Sequence, residues 1–347
     1  MARRKIHAWL LRRWYGQRPI WFFIPLAGMF AVLTAVRRWC YRHGILRVVK
    51  LPVPVIVVGN ITVGGTGKTP FVIWLSQSLR KQGYRPGIIT RGYGGQSKRW
   101  PLAVTPQADP MLAGDEAVLL AIRTQVPVMA GPDRAQAAQN LLKENSVNVI
   151  ISDDGLQHYH LARTLSIILL DGQRCLGNGW RLPAGPLREP AARLKEADFV
   201  ICKMDSTMNA ALPAGALALR LSLEHAVNIS DGSSRPLIEF AGQQVHAVAG
   251  IGHPQQFFET LGKYGLRVDG RALPDHAELS EADLIFDDEA PVLMTEKDAI
   301  KCRDLRLPRH WYVPASVEFA GEDAARILKF VRQQLTSMNV KPVNTND

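Results

Sequence analysis

The chain has 347 residues, 47% hydrophobic and 21% charged, which suits one large or two modest globular domains. Its four cysteines, Cys40, Cys175, Cys202 and Cys302, are scattered without a C-x-x-C pair, which argues against a disulfide framework or a thiolate zinc site and fits a reducing compartment. The net charge of +11 is confined to one end: residues 1–108 hold 18 Lys and Arg and no acid, and the rest of the chain holds 24 basic and 31 acidic residues. An anionic surface should therefore meet the N-terminal end, either nucleic acid or a membrane.

The first predicted element decides between these. Ile20–Val36 is seventeen residues without a charge, flanked by Arg12, Arg13 and Arg18 on one side and Arg37, Arg38 and Arg42 on the other. Trp14, Tyr15, Trp21, Trp39 and Tyr41 lie near its ends, where amphipathic rings favour a membrane interface. As a helix it would be about 25 Å long, short of a ~30 Å hydrocarbon core. Spanning would also place one arginine cluster outside, against the positive-inside tendency. The pattern predicts an interfacial helix within residues 1–50, with a single span and a soluble core helix as alternatives. A cleaved signal peptide does not fit, because Arg37-Arg38-Trp39 stands where small residues belong.

The apolar run at 53–60 reads as a buried parallel strand. It leads into Gly64-Gly65-Thr66-Gly67-Lys68-Thr69, and the amphipathic stretch 70–82 reads as a helix. Strand, glycine turn, Gly-Lys-Thr and helix form a cradle for a nucleoside triphosphate. Glycines let backbone N–H groups converge on phosphate oxygens, and the helix aims its N-terminus at the same anion. Lys68 would reach the β and γ phosphates and the Thr69 hydroxyl would ligate Mg²⁺. The strict Walker spacing is not met, since Thr62 stands where that pattern has glycine. The double glycine resembles the variant loop of MinD-like and signal-recognition-particle-like nucleotide-binding proteins.

Further strands are predicted at 85–91, 126–131, 148–153, 165–171 and 198–202, with helices at 114–124, 133–145 and 187–196. This alternation implies an α/β fold: a doubly wound, mostly parallel sheet of the P-loop nucleoside-triphosphate hydrolase type. A weaker pattern at 203–236 suggests a crossing to a smaller α/β unit. The expected organisation is a membrane-associating segment at 1–50, a kinase-like core at 51–215, a second domain at 216–340 and a tail at 341–347. Ligands of such sheets sit beyond the carboxyl ends of the strands. There the sequence places Gly64–Thr69, Arg91–Tyr93 and Asp153–His158.

Asp153 and Asp154 end a strand downstream of the phosphate loop, the usual place for a second Mg²⁺ support. Adjacent acids cannot both point the same way, so one should hold the metal while the other orients a neighbour. Asp115 opens a helix, where capping and the helix dipole alone would favour an acid. His158 reads equally as a substrate contact or a satisfied surface histidine. Arg91-Gly92-Tyr93-Gly94-Gly95 suits a phosphate or sugar face, and the proline-rich 183–190 presents Arg188 and Glu189. Lys203-Met204-Asp205 and Thr295-Glu296-Lys297-Asp298 faintly echo a guanine-reading motif. Asp275-His276 could supply a base and its partner.

Together these motifs resemble the tetraacyldisaccharide 4'-kinase (lipid A 4'-kinase) family. The resemblance rests on VGNITVGGTGKTP at 58–70, TRGYGG at 90–95, GDEA at 114–117, SDDGLQH at 152–158, LPAGPLREP at 182–190, PDH at 274–276 and TEKDAIK at 295–301. It implies transfer of the ATP γ-phosphoryl, with Mg²⁺, to the 4'-hydroxyl of a tetraacylated glucosamine disaccharide 1-phosphate. The setting it implies is the cytoplasmic face of the inner membrane. It further implies that Gly64–Thr69 bind the nucleotide, that Thr69, Asp153 and Asp154 serve the metal, and that Asp115 is the base with His276 as partner. Tyr93, His158, Arg188 and Glu189 match family active-site positions. The implied partners are the acylated disaccharide lipid and an anionic membrane, with no nucleic acid and no obligate protein partner. A partner-driven membrane NTPase and a nucleic-acid-binding ATPase are the competing readings. Nucleotide turnover that depends on acceptor lipid, on a protein or on DNA separates the three.

Overall fold

Short apolar runs with no polar alternation, such as Val55-Ile-Val-Val and Leu165–Leu170, can be buried only with both faces covered. They form the centre of a nine-stranded sheet in the computed structural model, which describes residues 9–204, 212–274, 279–303, 305 and 308–342. In chain order its strands are β1 (Val55–Gly59), β2 (Pro86–Thr90), β3 (Leu102–Val104), β4 (Val128–Ala130), β5 (Val149–Asp153), β6 (Leu165–Asp171), β7 (Phe199–Met204) and β8 (Leu217–Ser222), joined by β15 (Ser316–Phe319). Their spatial order is β15-β8-β7-β6-β1-β5-β2-β4-β3. The seven strands from β8 to β4 run parallel, and β15 and β3 close the edges antiparallel. Helices Lys68–Lys81, Asp115–Thr124 and Asp323–Ser337 share a core with Ile56, Val58, Ile88, Ile151 and Ile167 on one face. Helix Arg134–Glu144 packs on Val55, Ile89 and Ile150 on the other. Alternate residues of one strand thus feed opposite cores.

A second, six-stranded sheet is built from β9 (His225–Asn228), β10 (Ser234–Pro236), β11 (Gln244–Ala249), β12 (Arg267–Ala272), β13 (Val292–Thr295) and β14 (His310–Val313), in the order β10-β9-β14-β13-β11-β12. Helix Pro254–Lys263 buries Phe257, Phe258 and Leu261 against it. The expected division at 215/216 assigned residues 216–340 to this unit. Sheet pairing differs: β8 continues the large sheet, and the chain returns after β14 so that β15 and helix Asp323–Ser337 complete the first core. The physical reason is a non-local pairing. The Ser316–Phe319 run is a half-buried edge strand of four residues, and Leu217–Ser222 beside it is only partly buried, so neither announces which sheet it joins. Likewise the expected helix at 187–196 is a tight loop followed by a 3₁₀ turn at Ala191–Glu196. Pro190 ends the loop and Thr62 bridges Leu187.

The N-terminal apolar run forms a 3₁₀ turn and then helix Ile24–Arg42. Residues 21–42 make one helix long and apolar enough to cross a membrane, with 6% of its most apolar window buried. Its faces differ. Phe22, Leu26, Met29, Leu33 and Val36 are exposed at helical spacing. On the protein side, Ala27 is buried, Arg181 donates to the Thr34 hydroxyl (2.6 Å), and Arg38 and Arg42 both pair with Glu196. Two interface expectations need correction. Trp14 is buried, its indole N–H on the Pro183 carbonyl (2.8 Å), and the Tyr15 hydroxyl donates to the carbonyl of Val63. Trp14 is thus buried against the 183–190 loop, and Tyr15, half-buried, ties its hydroxyl to the loop that follows β1.

Candidate active site

Three loops beyond the carboxyl ends of β1, β2 and β5 meet in one crevice. The first runs from Asn60 to Gly67. The Asn60 side-chain amide donates to the Thr62 carbonyl (2.7 Å), and backbone bonds from Val63 to Pro186 (3.0 Å) and from Arg188 to Ile61 (2.7 Å) fix its flank. Gly67 has φ +81°, and no side chain caps the helix that starts at Lys68. Its first N–H groups therefore face the crevice without a protein cap, the arrangement that binds anions. A Cβ on Gly67 would meet the Lys203 stem at 3.5 Å, and the left-handed φ disfavours any side chain.

At the end of β5 the adjacent acids do diverge. Asp153 is buried and accepts from the Thr90 hydroxyl (3.3 Å). Burial, followed by the charge of Glu116, pushes its carboxyl up to about 7. Asp154 turns away through a left-handed φ of +48°. Its carboxylate lies 3.6 Å from Lys68 Nζ and 3.2 Å from Arg188. Burial works against its charge, but Lys68 and Arg188 outweigh that and hold it below the usual range. Two neighbouring acids thus occupy environments that drive them apart, which is how carboxylates acquire separate tasks.

Asp115 begins its helix after Gly114, whose φ is +90° and whose missing Cβ would sit 2.5 Å from the Tyr93 carbonyl. The Tyr93 loop and the Asp115 helix can pack this closely only with glycine there. Asp115 is buried; its Oδ1 accepts from the Glu116 N–H (2.9 Å), and Oδ2 lies 3.7 Å from Lys301 and 3.9 Å from Lys297. These lysines come from the small unit. Lys301 also meets the fully buried Asp298 (3.3 Å), which accepts from the Gly250 N–H (2.8 Å) and the Thr295 hydroxyl (2.6 Å). Thr295–Lys301 is therefore a capped turn that delivers two cations to Asp115.

The remaining predicted residues sit as follows. Tyr93 is exposed at the crevice rim. His158 is half-buried, and burial with the Arg134 charge lowers it to about 4, so it is neutral at pH 7. Arg188 faces Asp154, whereas Glu189 is buried and accepts from the Tyr159 hydroxyl (2.5 Å). His276 and its neighbour Asp275, like Asp205, lie outside the described residues. No cluster of three or more His, Cys, Asp or Glu suited to a metal occurs among the described residues. A Mg²⁺ ion that arrives with a triphosphate needs fewer protein ligands than that. Asp153 Oδ1 and the Thr66 hydroxyl are buried and make no hydrogen bond among the described residues. An open carboxylate oxygen beside the loop, with hard oxygen donors only, fits that ion.

A profile of the tetraacyldisaccharide-1-P 4'-kinase family matches residues 19–335. The chain belongs to this family. The tetraacyldisaccharide 4'-kinase of Nitrosococcus oceani is 46% identical over 325 residues, covering 93% of this chain and 94% of the relative. That of Methylobacillus flagellatus is 48% identical, covering 92% and 95%. The solved structure of LpxK from Aquifex aeolicus in complex with ATP aligns with a TM-score of 0.77 at 30% identity, covering 90% of this chain and 98% of that one. The fold is thus that of the kinase family, as the phosphate loop and alternating pattern imply.

Four side chains at the family's crevice carry charge that sequence reasoning did not assign. Lys297 and Lys301 had a signal: a spacing of four places both on one helical face. Arg134 is fully buried, donating to the Gly131 carbonyl (2.5 Å) and towards that of Asp153 (3.4 Å), and nothing in its helical context marks it. Lys203 pairs with Asp171 (3.3 Å) and lies over Gly67.

Proposed function

We infer that this chain transfers the γ-phosphoryl group of ATP to the 4'-hydroxyl of a tetraacylated glucosamine disaccharide 1-phosphate, as a lipid kinase of lipid A biosynthesis. The observation that carries this is the uncapped helix at Lys68 facing Asp153, Asp154 and Asp115 in one crevice of a family member. Phosphoryl transfer asks mainly for positioning and charge stabilisation. Lys68 and the loop amides meet the triphosphate, and Asp154 holds Lys68 and Arg188 beside it. Thr69 and Asp153, with Asp154 in support, are the residues to hold Mg²⁺, which when bound neutralises charge on the β and γ phosphates. Asp115 receives the acceptor hydroxyl's proton, and Lys297 and Lys301 fix its carboxylate. Tyr93 and His158 line the acceptor side, and Glu189 orients Tyr159.

His276 is assigned as partner to Asp115 by family resemblance. Pro274, just before it, would meet a Cβ on Gly250 at 3.2 Å with its carbonyl, beside Asp298, and Lys301 joins Asp298 to Asp115. The smaller unit thus closes over the acceptor, so the working division is a nucleotide-binding unit and a covering unit. We place the enzyme on the cytoplasmic leaflet of the inner membrane, with helix Ile24–Arg42 lying in the interface. Polar contacts along three turns of that helix to Arg181 and Glu196 favour docking on the core over a free span. The substrate's acyl chains keep it in the same leaflet.

The test is transfer of labelled γ-phosphate from ATP to detergent-dispersed tetraacyldisaccharide 1-phosphate. A labelled lipid that disappears in Lys68→Ala is expected, with kcat reduced by roughly 10²–10³ or more. ATP hydrolysis without any lipid product would overturn the reading.

A further inference from the structure

At the opposite end of β6 and β7 from the phosphate loop lies a cavity of about 390 Å³ whose wall includes Ser166 and Asp198. The length of β6 sets Ser166 about 20 Å from the phosphate loop, while the cavity's other wall, through Tyr159, reaches Glu189 beside the reaction crevice. Four arginines enter the cavity wall: Arg38 and Arg42 from the N-terminal helix, and Arg163 and Arg193 from the core, with Tyr41 and Tyr159 between them. Only two acids line it. Glu196 is shared by Arg38, Arg42 (3.0 Å) and Arg193 (2.5 Å), and Asp198 is engaged by the Ser166 N–H (2.8 Å). Arg193 is 6% exposed, yet its Nε makes no hydrogen bond among the described residues. A buried guanidinium N–H without an acceptor is costly unless an oxygen completes it. Arg163 directs one N–H of each terminal nitrogen, of its five donors, to the Leu156 carbonyl (3.2 Å) and lies over the Tyr159 ring. Burial, and then the charge of Arg193, lower Arg163 to about 10, as expected where positive charge exceeds negative.

Two features say what fills this excess. Guanidinium forks match the several oxygens of a phosphate better than a single carboxylate does. The chain that carries Arg38 and Arg42 also exposes Trp39, Ile45 and Leu46, apolar side chains within a few residues of the cavity lining. We propose that the cavity between Arg38, Arg42, Arg163 and Arg193 binds the phosphate of an anionic phospholipid headgroup, at a site that shares the Tyr159 wall with the reaction crevice but none of its phosphate-loop or aspartate residues. Its assignment to a lipid rests on the interfacial placement of the helix. The site would seat the C-terminal end of the helix at a set depth, with the acyl chains running along Val36 and Trp39. Arg38 and Arg42 then act as ligands of one headgroup and not as part of a diffuse basic fringe.

The test uses the full chain in neutral detergent, titrated with dihexanoyl phosphatidylglycerol, dihexanoyl phosphatidylcholine or inorganic phosphate. Retained lipid is counted by native mass spectrometry and stabilisation is followed as a Tm shift. The expected result is one phosphatidylglycerol retained per chain, with phosphatidylcholine not retained. Arg42→Gln, at an exposed position that leaves the fold intact, and Arg163→Gln should each weaken retention by about tenfold, the loss expected for one charge-assisted hydrogen bond. Arg47→Gln, an equal charge change outside the cavity, should change it less than about twofold. Equal retention of phosphatidylcholine, or unchanged retention in Arg42→Gln, would overturn the proposal. Equal stabilisation by inorganic phosphate, lost in the same variants, would keep the anion site but overturn its assignment to a lipid. Because the readout is binding, failure here is distinct from failure of the kinase assay.

Discussion

Replacing Asp153 by asparagine is expected to strengthen the fold and to abolish phosphoryl transfer. The carboxyl group is buried at the end of β5, with Glu116 adding a like charge, and its pKa rises from 3.8 to about 7. That rise corresponds to at most about 4 kcal/mol of preference for the neutral group, and to roughly half of that after local relaxation. The sign follows from the direction. The folded chain binds this proton more tightly than the unfolded chain, so the stabilisation from protonation is complete below about pH 4 and lost as pH rises through about 7. Asparagine does not titrate. Its advantage should be near zero at pH 4, grow through pH 5 and 6, and level off above pH 7. Urea denaturation of the nucleotide- and Mg²⁺-free chain at pH 4.5 and pH 8 measures this. An Asp153→Asn chain no more stable than the parent at pH 8, or equally more stable at both values, would refute the account of Asp153 as a destabilised charge held for the metal.

Lys301→Ala should lower kcat by about 10- to 100-fold with little change in KM for ATP, because Lys301 supports Asp115 and not the triphosphate; steady-state kinetics in both substrates separate the two constants. Tyr15→Phe removes the hydroxyl that donates to the Val63 carbonyl and should raise KM for ATP about fivefold at unchanged kcat, the effect of one lost hydrogen bond on loop order. His158→Gln should leave the shape of the kcat/KM profile between pH 6 and 8 unchanged, since His158 is already neutral there with its pKa near 4. Removing residues 1–45 should cut cosedimentation with anionic vesicles by at least tenfold, which unchanged pelleting would contradict.

The parts of this fold legible in the sequence are those fixed by local physics. The runs at 55–59, 149–153 and 165–171 are continuous, apolar and bounded, and a strand buried on both faces has no other composition. The glycines at 64 and 67 mark positions where the backbone needs positive φ, and Lys68 follows at the head of a helix. What escaped was set by partners far away in the chain. β15 pairs with β8 across roughly a hundred residues, and although Leu217, Leu219 and Leu221 alternate in one run and Val317 and Phe319 in the other, runs this short do not say which sheet they join. Trp14 and Tyr15 look like interface rings because composition near an apolar helix says nothing about which atoms their polar tips reach. Arg134 sits in an amphipathic helix like any first-turn cation, and only the approach of its guanidinium to β5 gives it a task.

The same long-range pairing explains why so short a loop can be held so firmly. Glycine-rich backbone has the most freedom to lose on folding, so residues 60–67 must be pinned from outside. Three separate segments do this. Tyr15 from the N-terminal end holds Val63, and its ring lies under the guanidinium of Arg174 (4.6 Å). Arg174 in turn meets His253 of the small unit at 3.0 Å. Lys203, at the end of β7, lies over Gly67 and donates to Gln256 of the same unit (3.2 Å). The third segment, 183–190, supplies the Pro186 carbonyl and Arg188. The segment leading into helix Ile24–Arg42 and the small unit therefore meet the phosphate loop through adjacent side chains. Ordering any one of these contacts reduces what the others must order, so the loop's conformation is set jointly by segments from both ends of the chain.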